Sequence, residues 1–404
     1  MTSPTKSPHI DYPTPREDPL APPTALTGLS GGPHRAALWD GSSAWVITSH
    51  DLTRELLNDR RLSANTAAPG FPMLSPASMV LRAEPRSASF IRMDEPEHGR
   101  LRGMLSSRFR PADAERMRDV IGGLVDQRLE ALEPLDEADL VPSLAAPLPA
   151  AVIATLLGIA DEDRPFFEDR SARLIDRTRT TAEVREAREE LDVFLNGVVD
   201  QRVDQPGDDL VSVLVHERML TGEIERQDVV PMCRLLLVAG HGTTASQLSL
   251  SLASVLDQPS AREAAAAGAP AVVSLGDELL RFHTIVQNGL VRAAVADIEV
   301  GDVTIAAGEG VIFAIGASNR DADTFPVPDE LDPGRDARRH LAFGHGSHQC
   351  LGQWLAKVEL EECLHRFTTR FPSARLTTPL RDLSFRHDAS SYGLETLPVR
   401  LRAD

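Results

Sequence analysis

Between Thr221 and about Leu256 the chain reads as one long helix whose centre, Leu235-Leu236-Leu237-Val238-Ala239, is apolar on every face. A helix with no solvent side must be buried, so the rest of the chain has to wrap around it. It does not suit a membrane span, because His241, Thr243, Thr244, Ser246, Gln247 and Ser249 interrupt it within the ~20 residues that a bilayer requires. Two glycines, Gly240 and Gly242, sit in its middle, each costing roughly 0.8–1 kcal/mol against alanine. A ligand lying against the helix backbone would offset that loss.

Charge narrows the classes of partner. Sixty acidic against 42 basic residues give a formal charge of −18 over 404 residues, which argues against nucleic acid or an anionic membrane as the main partner. The three cysteines, Cys233, Cys350 and Cys363, are odd in number and far apart, so no disulfide framework is expected and a reducing, cytoplasmic setting is. Residues 1–33 are polar and proline-rich at the start, with no apolar run of the kind a leader or anchor needs, and are expected to be extended.

Past that segment, Ala37-Leu38-Trp39 and Ala44 to Thr48 flank an Asp40-Gly41 turn and predict a hairpin. A long irregular stretch, Ser63 to Met93, carries Phe71, Met73, Leu74, Met79 and Val80, and loops of such length in a compact domain are usually functional. In the helix opened by Asp94-Glu95-Pro96, His98 and Arg102 share one face. From Pro111 to Gln205 the pattern is helical, with a charged run from Asp169 to Asp192 in which Leu174 and Ile175 are the apolar candidates to face inward. Ile298–Val300, Val303–Ile305 and Val311–Ile315 predict strands joining the N-terminal hairpin, and Asp382–Phe385 and Leu397–Leu401 predict two more. No glycine-rich phosphate loop lies at a strand–helix junction, so electrons for any redox chemistry must come from outside the chain.

One thiol stands in a glycine-punctuated loop, Phe343-Gly344-His345-Gly346-Ser347-His348-Gln349-Cys350-Leu351-Gly352, at the mouth of a helix. A helix N-terminus and free backbone N–H groups favour the thiolate, so Cys350 is expected to ionise easily. Three readings stay open on the residues alone: a buried structural cysteine, a zinc site with His340, His345 and His348, or a reactive thiolate. The spacing departs from the usual paired zinc ligands.

That loop resembles the haem-binding loop of the cytochrome P450 family, phenylalanine-glycine-x-glycine-x-histidine-x-cysteine-x-glycine, at every defining position. The resemblance extends over nearly the whole chain. It implies a mainly α, triangular haem-thiolate fold with a small β region: residues 34–404 as a single catalytic domain, β-rich at about 34–50, 285–315 and 376–402. It implies haem b (iron protoporphyrin IX) held through Cys350, the metal ligand, with Phe343 shielding the sulfur and Gly344, Gly352 and Ala239 close by. His98, Arg102, Arg292 and His348 would contact the haem propionates. Glu278, Arg281 and Arg335 would form a buried structural network. Ala239 to Thr244 resembles the oxygen-binding groove, with Thr243 as the proton-delivering threonine, but Gly242 stands where the family has an acid. His241, if its ring turned inward, ordered water or the substrate would then supply protons. The resemblance further places Phe71, Met73, Leu74, Met79, Val80, Leu174, Ile175, Val238, Val286, Leu290, Ser391 and Tyr392 around the substrate.

By the same resemblance the function is that of a soluble bacterial monooxygenase tailoring a natural-product intermediate, taking O2 and electrons from a ferredoxin or flavodoxin with its reductase. Arg338, Arg339 and Lys357 are expected to offer a basic docking face for that partner. Gly242 keeps oxidative C–C or C–N coupling and peroxide-driven turnover open as alternatives, and a haem-binding sensor without turnover is the alternative of another class.

Overall fold

The structure, a computed structural model, describes residues 10–29, 31–76, 78, 90–175 and 179–403. In chain order the first elements are β1 (Ile10–Tyr12), α1 (Thr24–Thr27), β2 (His34–Leu38), β3 (Ser43–Ile47), α2 (His50–Leu56), β4 (Leu62–Ser63), α3 (Glu97–Ser106), α4 (Pro111–Arg116), α5 (Arg118–Leu132) and β5 (Glu137–Asp139). Then come α6 (Pro147–Leu157), α7 (Arg164–Ile175), α8 (Thr181–Asp204), α9 (Leu210–Val213), α10 (Arg226–Asp257), α11 (Pro259–Ala266) and α12 (Ala271–His283). The last third holds β6 (Leu290–Ala294), β7 (Ile298–Val300), β8 (Val303–Ile305), β9 (Gly310–Phe313), α13 (Ile315–Ser318), α14 (Gln353–Arg370), β10 (Arg375–Leu376) and β11 (Pro398–Arg400).

Helix α10 is the axis, as its composition requires. Its 32 residues pack against α6, α7, α8, α11, α12 and α14, and Leu237, Leu248, Leu252 and Val255 are fully enclosed. Local chemistry fixes where its neighbours begin and end. α6 stops at Gly158, which takes a left-handed conformation (φ 69°) and turns its N–H back to Ala154 and Thr155. α8 starts with a reciprocal cap: the Glu183 N–H donates to Thr180 Oγ1 at 3.3 Å and the Thr180 N–H to Glu183 Oε2 at 2.9 Å.

A six-stranded sheet runs in the order β1-β2-β3-β9-β6-β4. β2 and β3 are the predicted hairpin; β3 pairs parallel with β9 (Trp45 opposite Val311), and β9 antiparallel with β6 (Val311 opposite Arg292). Ile10 and Tyr12 bury their side chains and bring β1 alongside β2 in parallel. Two expectations need correction. The Ile298–Val300 and Val303–Ile305 strands do not join the hairpin sheet; they pair with each other across a turn at Gly301 (φ 58°), which uses up their inner backbone groups. Residues 382–385 form no strand: Pro379 leads into a short 3-10 turn at Leu380–Asp382, and Leu383 and Phe385 bury themselves with one isolated bridge, Phe385 to Leu394.

Among the described residues, no helix is long and apolar enough to cross a membrane.

Candidate active site

A cavity of about 330 Å³ lies between α10, α3 and the loop that leads into α14. α10 contributes Ala239, Gly240, Thr243, Thr244 and Gln247, α3 contributes His98 and Arg102, and the loop contributes Phe343, Gly344, His348, Cys350 and Gly352. The loop's path depends on its glycines. Gly344 (φ +69°) and Gly346 (φ +78°) are both left-handed, and a Cβ on Gly346 would stand 2.6 Å from the Leu57 carbonyl oxygen. That turn lets the Cys350 N–H donate to the Phe343 carbonyl at 2.8 Å, which fixes the direction of the thiol.

Cys350 is open to the cavity. The surrounding protein nevertheless pushes its thiol above the usual value, because burial outweighs the Gly352 N–H and the Arg102 charge that pull it down. The expected easy ionisation is therefore corrected: the helix terminus is present, and desolvation is the larger effect. An iron or other cation at the sulfur would reverse that balance. Among the described residues no three His, Cys, Asp or Glu side chains cluster as metal ligands.

At the cavity's edge His98 and His348 stack with ring centroids 3.9 Å apart. Glu95 Oε1 lies 3.0 Å from His98 Nδ1, leaving His98 Nε2 buried without a partner, and His348 Nδ1 is likewise unpartnered. Burial, followed by the Arg292, His98 and Arg102 charges, depresses His348 to about 3. Arg292 is itself lowered to about 10 by burial. So much crowded positive character, with two orphaned ring nitrogens, suits a doubly anionic group lodged beside it. Arg102 Nη2 already donates to the Gln349 carbonyl at 2.6 Å, tying α3 to the cysteine loop. These residues fit a flat dianionic cofactor held at one face by Cys350.

Thr243 lines the cavity and donates through Oγ1 to the Ala239 carbonyl at 2.6 Å. Gly242 and His241 do not line it. Burial lowers His241 to about 4; its ring does not line the cavity, and the expected inward turn is corrected. Of the substrate candidates, Val286 and Leu290 line the cavity. Phe71 and Met73 are instead buried against Ala293, Leu74 packs on the sheet, and Leu174 and Val238 pack on the main core. Ser391 is held by Ser246 (Oγ to Oγ 3.3 Å), while Tyr392 stacks on Phe385 under the Arg16 guanidinium, 4.0 Å from the ring centre, so neither reaches the cavity. Met79 and Val80 lie outside the described residues, as does the side chain of Ile175.

Phe90, Ile91, Leu235, Ile285, Gln247 and Glu359 also face the cavity and were not anticipated. Glu359 left a signal: it shares a helical stripe with Leu355, Ala356 and Leu360, an acid on an apolar face. Arg338 pairs with Asp336 at 2.7 Å, Arg339 with Asp51 at 3.2 Å and Lys357 with Asp277 at 2.6 Å, so each charge is already matched. Beside the site, Arg281 grips Glu278 through two hydrogen bonds of 2.7 Å, both side chains fully buried, and Arg335 Nε reaches Glu278 Oε1 at 3.2 Å.

The family profile described as "Cytochrome P450" matches residues 270–383. Among curated proteins, the chain is 43% identical over 367 residues to cytochrome P450-SU2 of Streptomyces griseolus, covering 90% of this chain and 89% of that one. It is 40% identical over 405 residues to the vitamin D3 dihydroxylase of the same organism, covering 98% of each. The crystal structure of mycinamicin VIII C21 methyl hydroxylase MycCI from Micromonospora griseorubida, bound to mycinamicin VIII, superposes with a TM-score of 0.89 at 36% identity, covering 96% of this chain and 99% of that one.

Proposed function

Because this chain belongs to the cytochrome P450 family, a family of haem b monooxygenases, we propose that it inserts one oxygen atom of O2 into a largely apolar natural-product intermediate, using electrons from a ferredoxin or flavodoxin partner. When bound, haem b supplies the iron at which dioxygen is reduced, with a thiolate ligand that favours O–O cleavage. Cys350 would hold the iron. Phe343, Gly344, Gly352 and Ala239 would contact the ring, and His98, Arg102, Arg292 and His348 its propionates. A cytoplasmic location belongs to the same proposal.

The rest is done by side chains. Thr243, with its hydroxyl on the Ala239 carbonyl, holds a proton donor beside the place where oxygen is reduced. Phe90, Ile91, Leu235, Val286 and Leu290 give the cavity apolar walls that exclude water and orient a substrate by shape. The relatives' names mention vitamin D3 and mycinamicin VIII, and a substrate of comparable size and apolar character suits such walls. One observation carries the reading: Cys350, Thr243 and the orphaned His98 and His348 nitrogens open on one cavity.

The test is an optical titration of the purified ferric protein against macrolides, terpenoids, sterol-like compounds and aromatic acids. A thiolate-haem Soret band that moves from low to high spin with one class supports the reading and names the class. Absence of that band after haem is added overturns it.

A further inference from the structure

A second cavity, of about 470 Å³, lies apart from the active one and shares no lining residue with it. Arg16, Ser75, Gln287, Asn288, His387 and Asp388 are among the residues that line it. Its volume falls within the ~300–1,000 Å³ usual for small-molecule sites. We propose that this cavity binds a small carboxylic acid that carries a hydroxyl or amino group beside its carboxylate, with Arg16 as the anchor.

Arg16 is brought there by the start of the chain. β1 pairs with β2 from Ile10 to Tyr12, and just beyond it Arg16 Nη1 donates to the Ala21 carbonyl at 3.0 Å. The guanidinium lies over the Tyr392 ring, 4.0 Å from its centre. These contacts fix the group and engage one of its nitrogens. Nε is buried without a partner, and among the described residues Nη2, on the same edge, has none either. That edge is the fork that takes a carboxylate through two parallel N–H···O bonds.

Among the described residues no carboxylate fills the fork. Asp18 is the acid whose charge reaches Arg16, but its own oxygens are taken by Arg381 and by the Leu20 N–H at 2.9 Å. Burial weighs against the charge on Arg16 and lowers its pKa from the ordinary value, and an acid at the fork would supply the missing counter-charge. The cavity also offers acceptors. Gln287 Nε2 donates to the His387 and Ala389 carbonyls, which holds the amide and leaves Oε1 buried without a partner. Asp388 adds a carboxylate at the exposed rim. A plain carboxylate would gain nothing from Gln287 and be repelled by Asp388, whereas a hydroxyl or amino group beside it gives those oxygens a donor.

The two cavities stand on either side of one short segment. Of four consecutive residues, Ile285 and Val286 line the active cavity, and Gln287 and Asn288 line the second. Tyr392, beneath Arg16, donates its N–H to the Ile285 carbonyl at 2.8 Å, so the anchor and that segment are held together. The second site needs neither haem nor Thr243, and it stands apart from the monooxygenase reading.

The test uses the chain's two tyrosines, Tyr12 and Tyr392. Haem-loaded protein carrying tyrosine labelled with carbon-13 in the ring gives two sets of ring signals, which Tyr392→Phe assigns. L-Lactate, L-alanine and propionate, acids of similar size with and without the donor, are titrated at constant ionic strength. Lactate or alanine is expected to move the Tyr392 signals saturably, and propionate to bind roughly 5-fold more weakly, the worth of one hydrogen bond. Arg16→Lys keeps the charge and loses the fork, and is expected to weaken binding about 10-fold or more. Gln287→Leu should weaken lactate or alanine about 5-fold and leave propionate as in the native protein. Tyr392 signals that no acid moves overturn the site, as does native affinity in Arg16→Lys. Propionate binding as tightly as lactate and alanine overturns the ligand class. A Soret shift by lactate that persists at native affinity in Arg16→Lys and Gln287→Leu places the acid in the active cavity and also overturns the site. Should the protein take up no haem, the monooxygenase reading fails, and the tyrosine signals still decide this one.

Discussion

Replacing Glu278 by alanine is predicted to cost about 3–5 kcal/mol of stability, the usual penalty for leaving one partner of a buried ion pair alone. The structure explains why the value belongs at that end. Arg281 directs all its donors at five acceptor contacts: two to Glu278 (2.7 Å each) and three to the Asn319, Pro328 and Glu330 carbonyls (3.0, 2.8 and 3.1 Å). Without Glu278 the guanidinium remains fully buried among carbonyl dipoles with no counter-charge. Two further donors lose their acceptor at the same time, the Asp332 N–H at 2.9 Å and Arg335 Nε at 3.2 Å, each worth about 1–3 kcal/mol if left unsatisfied. Arg335→Ala removes the longer of these bonds and Arg335's own bonds to the Pro326, Val327 and Glu330 carbonyls, at a side chain 10% exposed, but leaves no buried charge behind and is expected to cost about 1–2 kcal/mol. Glu278→Leu combined with Arg281→Met should recover most of the loss, since well-packed apolar residues replace a buried pair at little cost. Urea denaturation followed by circular dichroism, at fixed pH and equal haem content, measures all three variants against the native protein. A Glu278→Ala loss below about 1 kcal/mol, or a double variant as unstable as the single, would refute the argument that uncompensated burial sets the magnitude.

Three other outcomes are expected. Thr243→Ala should leave the substrate-induced Soret shift unchanged while product per electron pair drops roughly 10²-fold, read by reductant consumption against product. His98→Ala removes one of the orphaned nitrogens, and haem transfer to apomyoglobin should quicken by about 10- to 100-fold, the equivalent of one charge-assisted bond of about 1.5–3 kcal/mol. His283, buried beside Ser254 and lowered to about 3 by burial and by Arg320, Arg16 and Arg281, stays neutral in the fold while the unfolded chain protonates below its ordinary value of 6.5. Stability is therefore lost as pH falls from 6.5 toward 3, at up to about 1.4 kcal/mol per pH unit for this group. His283→Gln should flatten that acid slope in denaturation curves taken from pH 7 to 4.

How much of this was legible follows from what each signal depends on. α10 announced itself because an all-round apolar run has one solution, burial, and the cysteine loop because its residue types recur at fixed positions over a short span. Gly242 as an absent acid was legible for the same reason. The direction of a ring was not. His241 is buried away from the cavity, among residues that spacing along α10 does not reveal. Tyr392 was misplaced in the same way: the Arg16 guanidinium arrives over it from the other end of the chain. Arg338, Arg339 and Lys357 read as a patch in sequence because their carboxylate partners, Asp51 and Asp277 among them, come mostly from remote positions.

The parallel pairing of β3 with β9 governs the order in which the molecule is made. Ile47 meets Phe313, so the hairpin leaves the ribosome long before the strand that covers its inner edge. At roughly 5–20 residues per second, that edge waits for tens of seconds. α10 and the helices around it are synthesised meanwhile and have local partners to pack on, whereas the sheet closes only at the end, a few dozen residues before Cys350 appears. Haem uptake is thereby placed last in biosynthesis, and the bare β3 edge is the part of the nascent chain most exposed to wrong pairing until then.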